Sequence, residues 1–323
     1  MNLYIASSPL QLLNCIEARD RFHANEENHL FFIYKKSIDL EQAKPLLKHG
    51  WTSRKFFKWT KLSRLFYGVM LRSYLSRVKG ARNLYLGYPY NIRAHIANST
   101  ASNVWVVDDG NYSVWLADQL ENADSGIWRR PSLADRLLGR RVSTEYLREA
   151  KFFTIYPVLE RSSHLSVIND FQCVRANLAN MEETEEVIFI GSPVVGNLVQ
   201  FSSQFVELMA EVSKYYNYQR VIYVAHRYED VDELKDLLGG LNFEIKRFAT
   251  LIEMQFMIDE QKPRALASFT SSALVNLNLI YDVPVVAFQV PDSWIPKNKR
   301  DIYGAVYKQL QKDGIPLARF EKG

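Results

Sequence analysis

Two adjacent carboxylates, Asp108 and Asp109, follow an apolar run and precede Gly110, which suits a turn. Neighbouring like charges raise the pKa of one member of such a pair, and burial raises it further. A carboxylate in this state suits a general base that takes a proton from a hydroxyl group. Two other interpretations stay open. One is that the pair serves only as a helix N-cap, which Asp favours. The other is a metal site, although no His or third acid stands nearby in the sequence.

A histidine and an arginine end another apolar run. His226 is one of six histidines in the chain, and Arg227 follows it directly. An imidazole at this place, neutral or cationic, can donate to a departing phosphate oxygen, while Arg227 adds a fixed positive charge. The alternative is a structural histidine whose hydrogen bonds are satisfied within the protein.

Hydroxyl groups follow a third apolar run. Thr270, Ser271 and Ser272 precede the helical segment Ala273–Leu277. Free backbone N–H groups at a helix N-terminus, together with hydroxyls, form an anion site for phosphate or carboxylate. Serine capping without a ligand is the alternative.

Small or polar residues also follow two further apolar runs. Gly191 and Ser192 begin a loop where a nucleotide or phosphate can approach the backbone, although the loop matches neither a P-loop nor a dinucleotide fingerprint. Ser8 is placed to cap a helix that begins at Pro9, and Gln11 points an amide into the same region.

The apolar runs alternate with helical segments, which is the pattern of a parallel α/β sheet. Strands are predicted at Leu3–Ala6, Leu30–Tyr34, Asn83–Leu86, Val104–Val107, Glu186–Ile190, Arg220–Val224, Phe243–Arg247, Arg264–Ala267 and Val285–Phe288. In open parallel sheets, ligands bind beyond the carboxyl ends of the strands. Because the polar groups fall at these ends in strand after strand, we expect them to form a ligand site.

The length of 323 residues favours two domains, since one domain usually has about 100–200 residues. We predict a Rossmann-like N-terminal domain at 1–165 that carries the acidic pair and a Rossmann-like nucleotide-binding domain at 180–300. A final segment, 301–323, has helical spacing suited to packing back on the first domain. Two such domains facing a central cleft resemble the GT-B architecture of many nucleotide-sugar transferases, so the predicted fold class is α/β, GT-B-like.

The composition narrows the class of protein. Hydrophobic residues make up 47% and charged residues 24%, which excludes a disordered or fibrous chain. The two cysteines, Cys15 and Cys173, cannot form a disulfide framework or a zinc site alone, which favours a reducing compartment. No secretory signal is recognisable, and the apolar runs are shorter than the ~20 residues of a membrane span. We therefore expect a soluble intracellular protein.

The net charge of +4 is unevenly distributed. The stretch from Trp51 to Arg82 has no Asp or Glu, and its basic residues alternate with aromatic ones. This pattern suits a membrane or an anionic lipid-linked acceptor, although nucleic-acid phosphates or a merely solvated helix pair remain alternatives. The candidate surface residues are Lys55, Lys58, Lys61 and Arg64, and a second basic cluster contains Arg129, Arg130, Arg136, Arg140 and Arg141.

The order of these motifs resembles that of the bacterial GT-B sialyltransferases, which share an acidic pair followed by Gly, a His-Pro motif and a paired Ser or Ser-Thr. Here Asp108-Asp109-Gly110, His226 and Ser271-Ser272 stand in that order. Residues 4–14, YIASSPLQLLN, are similar to the start of glycosyltransferase family 52 and its polysialyltransferase relatives. Arg227 stands where the family usually has Pro.

The resemblance implies CMP-sialic acid as the donor, inversion at the anomeric carbon, and no metal or other cofactor. The leaving group is a nucleoside monophosphate, whose charge a histidine, an arginine and a helix N-terminus can balance. Asp109 is implied as the base, with Asp108 as the alternative, and His226 as the group that stabilises the leaving phosphate. The implied donor-binding residues are Ser271, Ser272, Thr270 and Arg227 at phosphate or carboxylate, Gly191 and Ser192 at cytidine, and Gln11 and Asn14 at sialic acid.

The resemblance also implies a galactose-type acceptor on a bacterial O-antigen, lipooligosaccharide or capsule precursor. The enzyme would then be peripheral on the inner face of the cytoplasmic membrane, with no nucleic-acid partner and with a homodimer left open. Two alternatives remain. The first is a GT-B transferase with another donor, such as CMP-Kdo or a nucleoside-diphosphate hexose, and the second is a non-catalytic nucleotide- or sugar-binding protein.

Overall fold

The computed structural model of the chain describes residues 1–47, 50–60, 63, 73, 81–87, 101–110, 112–122, 125, 127, 145–156, 165–176, 178 and 181–320. The chain divides into two compact units, Met1–Val174 and Arg175–Gly323. Each unit is built on a parallel sheet accompanied by helices, so the predicted α/β class with two parallel-sheet domains is confirmed.

The first unit has a sheet of seven parallel strands in the order β3-β2-β1-β4-β5-β6-β7, counted over the described residues. The strands are β1 (Asn2–Ala6), β2 (Asn28–Tyr34), β3 (Ser53–Lys58), β4 (Asn83–Leu86), β5 (Asn103–Val107), β6 (Lys151–Thr154) and β7 (Ser166–Ile168). The α-helices are α1 (Pro9–Phe22), α2 (Ser37–Ala43) and α3 (Tyr112–Glu121), and 3₁₀ turns lie at Lys44–Leu47 and Glu145–Glu149. Helix α4 (Gln172–Ala176) crosses the boundary between the units.

Within its described residues, the second unit has a six-stranded parallel sheet in the order β11-β10-β9-β13-β14-β15 and a two-stranded sheet of β8 and β12. The strands are β8 (Glu182–Glu183), β9 (Val187–Ile190), β10 (Val221–Val224), β11 (Phe243–Lys246), β12 (Gln261–Lys262), β13 (Ala265–Ser268), β14 (Val285–Gln289) and β15 (Leu317–Arg319). The α-helices are α5 (Ser202–Tyr215), α6 (Val231–Leu238), α7 (Ile252–Asp259), α8 (Ala273–Tyr281) and α9 (Arg300–Lys312), with a 3₁₀ turn at Lys297–Lys299.

The C-terminal segment is an integral part of the second unit. β15 pairs in parallel with β14 at the edge of the sheet. The Tyr307 hydroxyl of α9 accepts the backbone N–H of Val290 at 3.2 Å and donates to the carbonyl oxygen of Phe288 at 3.3 Å. The chain from residue 300 to 319 therefore adds a helix and an edge strand to the second unit.

Aromatic side chains stack across the central strands of both sheets. Tyr4, Tyr85 and Trp105 stand in register on β1, β4 and β5, with ring centroids 4.7 and 5.9 Å apart. In the second sheet, Phe189 of β9 stacks on its register partner Tyr223 of β10 at 5.5 Å. Such pairs contribute about 0.5–1.5 kcal/mol beyond the burial of their surface. They help to hold the neighbouring strands in register, so that the strand ends are level.

A buried carboxylate of α1 holds the start of the segment that leads out of the first unit. Glu17 is fully buried, and its two carboxylate oxygens accept the backbone N–H groups of Cys173 and Val174 at 2.8 and 2.9 Å. Hydrogen bonds to a charged acceptor are stronger than neutral ones, and leaving buried donors unpaired is costly. Among the described residues, no helix is long and apolar enough to cross a membrane.

We expect Glu17→Ala to destabilise the protein by about 2–5 kcal/mol, because a buried and a partly buried N–H group lose a charged acceptor. Glu17→Gln retains one acceptor oxygen, so its effect should be smaller. Urea unfolding followed by circular dichroism would show the loss as a lower midpoint of the affected transition. Glu27→Ala, at an exposed side chain that precedes β2, is the matched control. Equal midpoints for Glu17→Ala and Glu27→Ala would contradict this role.

Candidate active site

The first cluster of candidate residues lies beyond the carboxyl ends of β1, β4 and β5, which are neighbours in the sheet. Ile5, Leu86 and Val106 stand in register on these strands. Ser8 and Asp109 therefore follow at the same edge of the sheet, although they are 101 residues apart in the chain.

Ser8 links the start of α1 to the acidic pair. Its hydroxyl accepts the backbone N–H of Gln11 at 3.2 Å, which makes Ser8 the N-cap predicted from the sequence. The same hydroxyl donates to Asp109 Oδ1 at 3.1 Å. The Asp109 side chain is half-buried. The cap of α1 thus holds a carboxylate that solvent still reaches, which is a suitable arrangement for a general base.

Asp108 is placed differently from its neighbour. It is 3% exposed, and its Oδ2 accepts the backbone N–H of Ile155 at 2.7 Å, whereas Oδ1 is buried without a hydrogen-bond partner. Burial raises the pKa of Asp108 to about 6, against the opposing effect of the nearby Ser113 hydroxyl, the Ile155 N–H and the Thr154 hydroxyl. The charge of Asp109 is the smallest contributor. The expected shift within the pair is present, but burial rather than like charge is its main cause.

Gln11 and Asn14 are turned inward. Gln11 is 2% exposed, and its Oε1 accepts both the backbone N–H and the hydroxyl of Ser7 at 2.8 and 3.0 Å. Asn14 Nδ2 donates to the carbonyl oxygen of Asp108 at 3.1 Å, and Asn14 Oδ1 accepts from Asn169 Nδ2 at 2.8 Å. A ligand would have to break these bonds to reach either side chain. The expected contact of Gln11 and Asn14 with sialic acid stays a prediction; in this structure both side chains bond within the protein.

Gly87, which sequence analysis did not single out, makes this packing possible. A Cβ atom at residue 87 would overlap the side chain of Gln11. The glycine at the end of β4 thus leaves space for the Gln11 side chain between the ends of β1 and β5.

The second cluster lies beyond the carboxyl ends of β10, β9 and β13 in the second sheet. Val224, Ile190 and Ser268 stand in register on these strands. His226, Ser192 and Thr270 are each the second residue after these positions. Adjacent strands lie about 4.8 Å apart, so the structure brings these three strand-end segments together at one edge.

The surroundings of His226 indicate a neutral ring with a defined tautomer. Burial lowers the pKa of His226, and the charges of Arg227 and Arg247 lower it further. The backbone N–H of Tyr228 donates to His226 Nδ1 at 3.3 Å. Because Nδ1 accepts, the proton of the neutral ring is assigned to Nε2. Of the two charge states left open by the sequence, the geometry favours the neutral donor.

The hydroxyl residues after β13 have distinct roles. Ser271 Oγ accepts the backbone N–H of Ala273 at 3.3 Å, so Ser271 caps the start of α8. Ser272 directly precedes the helix, is exposed, and makes no side-chain capping bond. Thr270 is partly exposed. Capping therefore accounts for the Ser271 hydroxyl, while Ser272 and the N-terminus of α8 retain the features of the predicted anion site.

The absence of a side chain at Gly191 leaves room for its neighbours Tyr223 and Glu229. A Cβ atom at residue 191 would lie 2.6 Å from Glu229 Oε2 and 2.6 Å from a ring carbon of Tyr223. Gly191 is also buried. The contact of Gly191 and Ser192 with cytidine stays a prediction; Gly191 is buried beside this tyrosine and glutamate, whereas Ser192 is partly exposed.

Glu229 is the functional candidate that sequence analysis missed. Its Oε2 accepts the backbone N–H of His226 at 2.7 Å, and its Oε1 accepts the Tyr223 hydroxyl at 2.8 Å. Burial raises the pKa of Glu229, opposed by these two hydrogen bonds and by Arg247. A glutamate in a polar loop carries no distinguishing pattern, and its spacing of three residues from His226 was the available signal.

The predicted basic surface is described only in part. Lys55 and Lys58 are exposed on β3, which is the outermost strand of the first sheet among the described residues. Phe56 between them is 39% exposed. Lys61, Arg64 and the second basic cluster at 129–141 lie outside the described residues. The helix pair that was one interpretation of the stretch 51–82 is replaced at 53–58 by a strand.

The raised pKa of Asp108 predicts a pH-dependent stability. Its carboxyl group binds a proton more tightly in the folded protein than in the unfolded chain. Its contribution to the free energy of unfolding therefore falls as the pH rises from about 4 to about 6. Two pKa units correspond to about 3 kcal/mol. Melting temperatures of wild type and Asp108→Asn between pH 4 and pH 8 would test this, because the difference cancels other titrating groups. We expect the melting temperature of Asp108→Asn, relative to that of wild type, to rise as the pH increases from about 4 to about 6. A constant difference would contradict the prediction.

Neither a protein-family model nor a curated protein sequence matches the chain. Among solved structures, UDP-GlcNAc 2-epimerase from Neisseria meningitidis bound to UDP-GlcNAc is 10% identical, with a TM-score of 0.50 over 96% of this chain and 90% of that chain. The S. aureus MnaA–UDP co-structure is 10% identical, with a TM-score of 0.51 over 97% and 88%. A putative UDP-N-acetylglucosamine 2-epimerase from Listeria monocytogenes is 10% identical, with a TM-score of 0.51 over 89% and 79%. Likeness at this level shows the fold alone, and that fold is the predicted GT-B fold.

Proposed function

We propose that the protein is an inverting sialyltransferase that transfers sialic acid from CMP-sialic acid to a hydroxyl of a galactose-type acceptor. The observation that carries the proposal is the pairing of Asp109 with Ser8 beyond the ends of β5 and β1. It holds a half-buried carboxylate at the strand end where the acidic pair of the bacterial GT-B sialyltransferases would place its base. The neutral His226 and the hydroxyls before α8 support the proposal from the second unit.

Each residue has a defined part in the proposed reaction. Asp109 takes the proton of the acceptor hydroxyl, whose oxygen attacks the anomeric carbon of sialic acid from the face opposite the leaving group. The bond from that carbon to the phosphate oxygen breaks, and its electron pair leaves with CMP. His226 Nε2–H donates a hydrogen bond to the phosphate as its charge develops. Ser272, the N-terminus of α8 and Arg227 stabilise the negative charge of the donor.

The alternative functions differ in the donor that the protein binds and in whether it turns that donor over. A CMP-Kdo or nucleoside-diphosphate-hexose transferase would use the same fold, and a binding protein would hold the nucleotide without turnover. UDP-GlcNAc is a necessary comparison, since two of the similar structures contain UDP-GlcNAc or UDP. Independence from metal ions also belongs to the proposal and is tested with a chelator.

We expect the wild type to release CMP from CMP-sialic acid in the presence of EDTA and a β-galactoside. Asp109→Ala and His226→Ala should each lower kcat/KM by about 10²–10⁴, which is the usual contribution of a general base or of a positioned donor. Asp118→Asn, at an exposed carboxylate on α3, is the matched control and should retain turnover. A coupled assay for free CMP measures these rates.

Different outcomes separate the alternatives. Turnover of UDP-GlcNAc or CMP-Kdo in place of CMP-sialic acid would overturn the donor assignment. A thermal shift with CMP but no turnover across acceptors would favour the binding protein. Unimpaired turnover by Asp109→Ala would remove Asp109 as the base.

We further propose that the acceptor is a lipid-linked or lipopolysaccharide-type glycan precursor (O-antigen, lipooligosaccharide or capsule) at the inner face of the bacterial cytoplasmic membrane. The exposed Lys55 and Lys58, with Phe56 between them, support a peripheral contact with an anionic surface. Lys61 and Arg64 extend the same basic run in the sequence.

Replacement of Lys55, Lys58, Lys61 and Arg64 by Gln should therefore lower activity on lipid-linked acceptors more than activity on soluble β-galactosides. The physical reason is the loss of about 1 kcal/mol of attraction for each basic residue near an anionic membrane. Initial rates on both acceptor types, with and without vesicles that contain anionic lipid, would measure the effect. Lys214→Gln and Lys235→Gln, at exposed lysines of the second unit, provide the control. Equal losses on both acceptor types would contradict a surface role.

A further inference from the structure

The segment that follows β10 is closed into a turn by Glu229. The backbone N–H of Glu229 donates to the carbonyl oxygen of His226 at 2.9 Å. In the opposite direction, the backbone N–H of His226 donates to Glu229 Oε2 at 2.7 Å. Both polar groups of the His226 backbone are thereby engaged by one residue. The turn also brings the N–H of Tyr228 to His226 Nδ1 at 3.3 Å.

Glu229 also ties this turn to β10, the strand that precedes it. Its Oε1 accepts the hydroxyl of Tyr223, which is fully buried and lies beside the backbone of Ser192. The absence of a side chain at Gly191 leaves room for this pair. On the other side, Arg247 after β11 donates to the carbonyl oxygens of Glu229 and His226. The turn is thus held by a side chain of β10 on one side and by Arg247 after β11 on the other.

We propose that Glu229 is a positioning residue that holds His226 in the tautomer and orientation in which Nε2 donates outward. The phosphate as the acceptor of that hydrogen bond rests on the proposed function, whereas the control of the tautomer does not. Glu229 acts through the backbone, because its carboxylate fixes the turn and the turn presents the Tyr228 N–H to Nδ1. Without that N–H, the two tautomers of an imidazole are close in energy and both are populated.

The chemistry of the carboxylate distinguishes two substitutions. Glu229→Gln retains an amide oxygen for the His226 N–H, and its NH₂ group can donate to the Tyr223 hydroxyl oxygen, which reverses that bond but keeps it. Glu229→Ala removes both acceptors. A role through geometry therefore predicts rescue by glutamine and failure with alanine.

The direct test is a long-range ¹H–¹⁵N NMR spectrum of the histidine rings in the full-length protein. The His226→Ala spectrum identifies the His226 signals among the six histidines. We expect the Nε2–H pattern in wild type and Glu229→Gln, and averaged nitrogen shifts in Glu229→Ala. Asp232→Ala, three residues along the chain with a side chain that is 90% exposed, should leave the His226 signals unchanged. An unchanged Nε2–H pattern in a folded Glu229→Ala, or an Nδ1–H pattern in wild type, would overturn the proposal.

Kinetics provide a second readout. Glu229→Ala should lower kcat for CMP release by at least about tenfold with little change in KM, and should cause no further loss in a His226→Ala background. Equal losses in both backgrounds would show a merely structural role and overturn the proposal. If wild type releases no CMP while the NMR pattern changes as expected, the proposed function fails and the positioning role stands. If CMP is released but the NMR pattern is insensitive to Glu229, the positioning role fails and the proposed function stands.

Discussion

Helix α1 buries polar side chains along one face, and the first strand-end cluster depends on the hydrogen bonds of that face. Gln11, Asn14 and Glu17 recur at a spacing of three residues, which places them on one side of the helix. An unpaired polar group in this position would cost roughly 1–3 kcal/mol. Each of the three instead bonds a different partner segment: the end of β1, the acidic pair and the start of α4. The helix therefore positions Asp109 by its cap and the backbone of Asp108 by its buried face.

In the second unit, a single carboxylate, that of Glu229, holds the backbone of the candidate site. Glu229 is partly buried, and it bonds to the backbone of His226 and to the hydroxyl of a buried tyrosine. In both units, a side chain that bonds to backbone organises the strand-end segment, while its half-buried neighbour retains contact with solvent. Networks of this kind are stabilising only when their members are satisfied, which constrains the small residues Gly87 and Gly191 as strongly as the polar ones.

The sequence predicts the central strands well because strands of a parallel sheet are buried on both faces and appear as continuous apolar runs. All nine predicted strands are present, with ends shifted by at most two residues. β3 was missed because SRKFFK lies at the edge of the described sheet and buries a single side chain, Phe57. β6 was also missed, although it buries three side chains. β7 and β15 were missed because three residues carry too little pattern, and the two-residue strands β8 and β12 carry still less.

For the site, the sequence predicts that polar residues gather at strand ends, but it does not predict how they are used. Gln11 and Asn14 carry amide side chains of the kind that often contact ligands, but tertiary packing turns both inward. The importance of Glu229 depends on the space beside Gly191 and on the hydroxyl of Tyr223, which lie on two different strands. Such a role follows from the pairing of strands and carries no local signature.

The two carboxylates of the acidic pair show how environment can separate the roles of identical side chains. Asp108 is enclosed, its Oδ1 lacks a partner, and its pKa rises to about 6, so near neutral pH it carries a charge at the expense of stability. Asp109 is one residue further along, reaches solvent, and accepts a hydroxyl from a helix cap. A base must meet its substrate and release its proton afterwards, and the enclosed carboxylate can do neither without opening the fold. In the proposed reaction, proton transfer therefore belongs to Asp109, while Asp108 binds the backbone of Ile155, which begins the segment after β6.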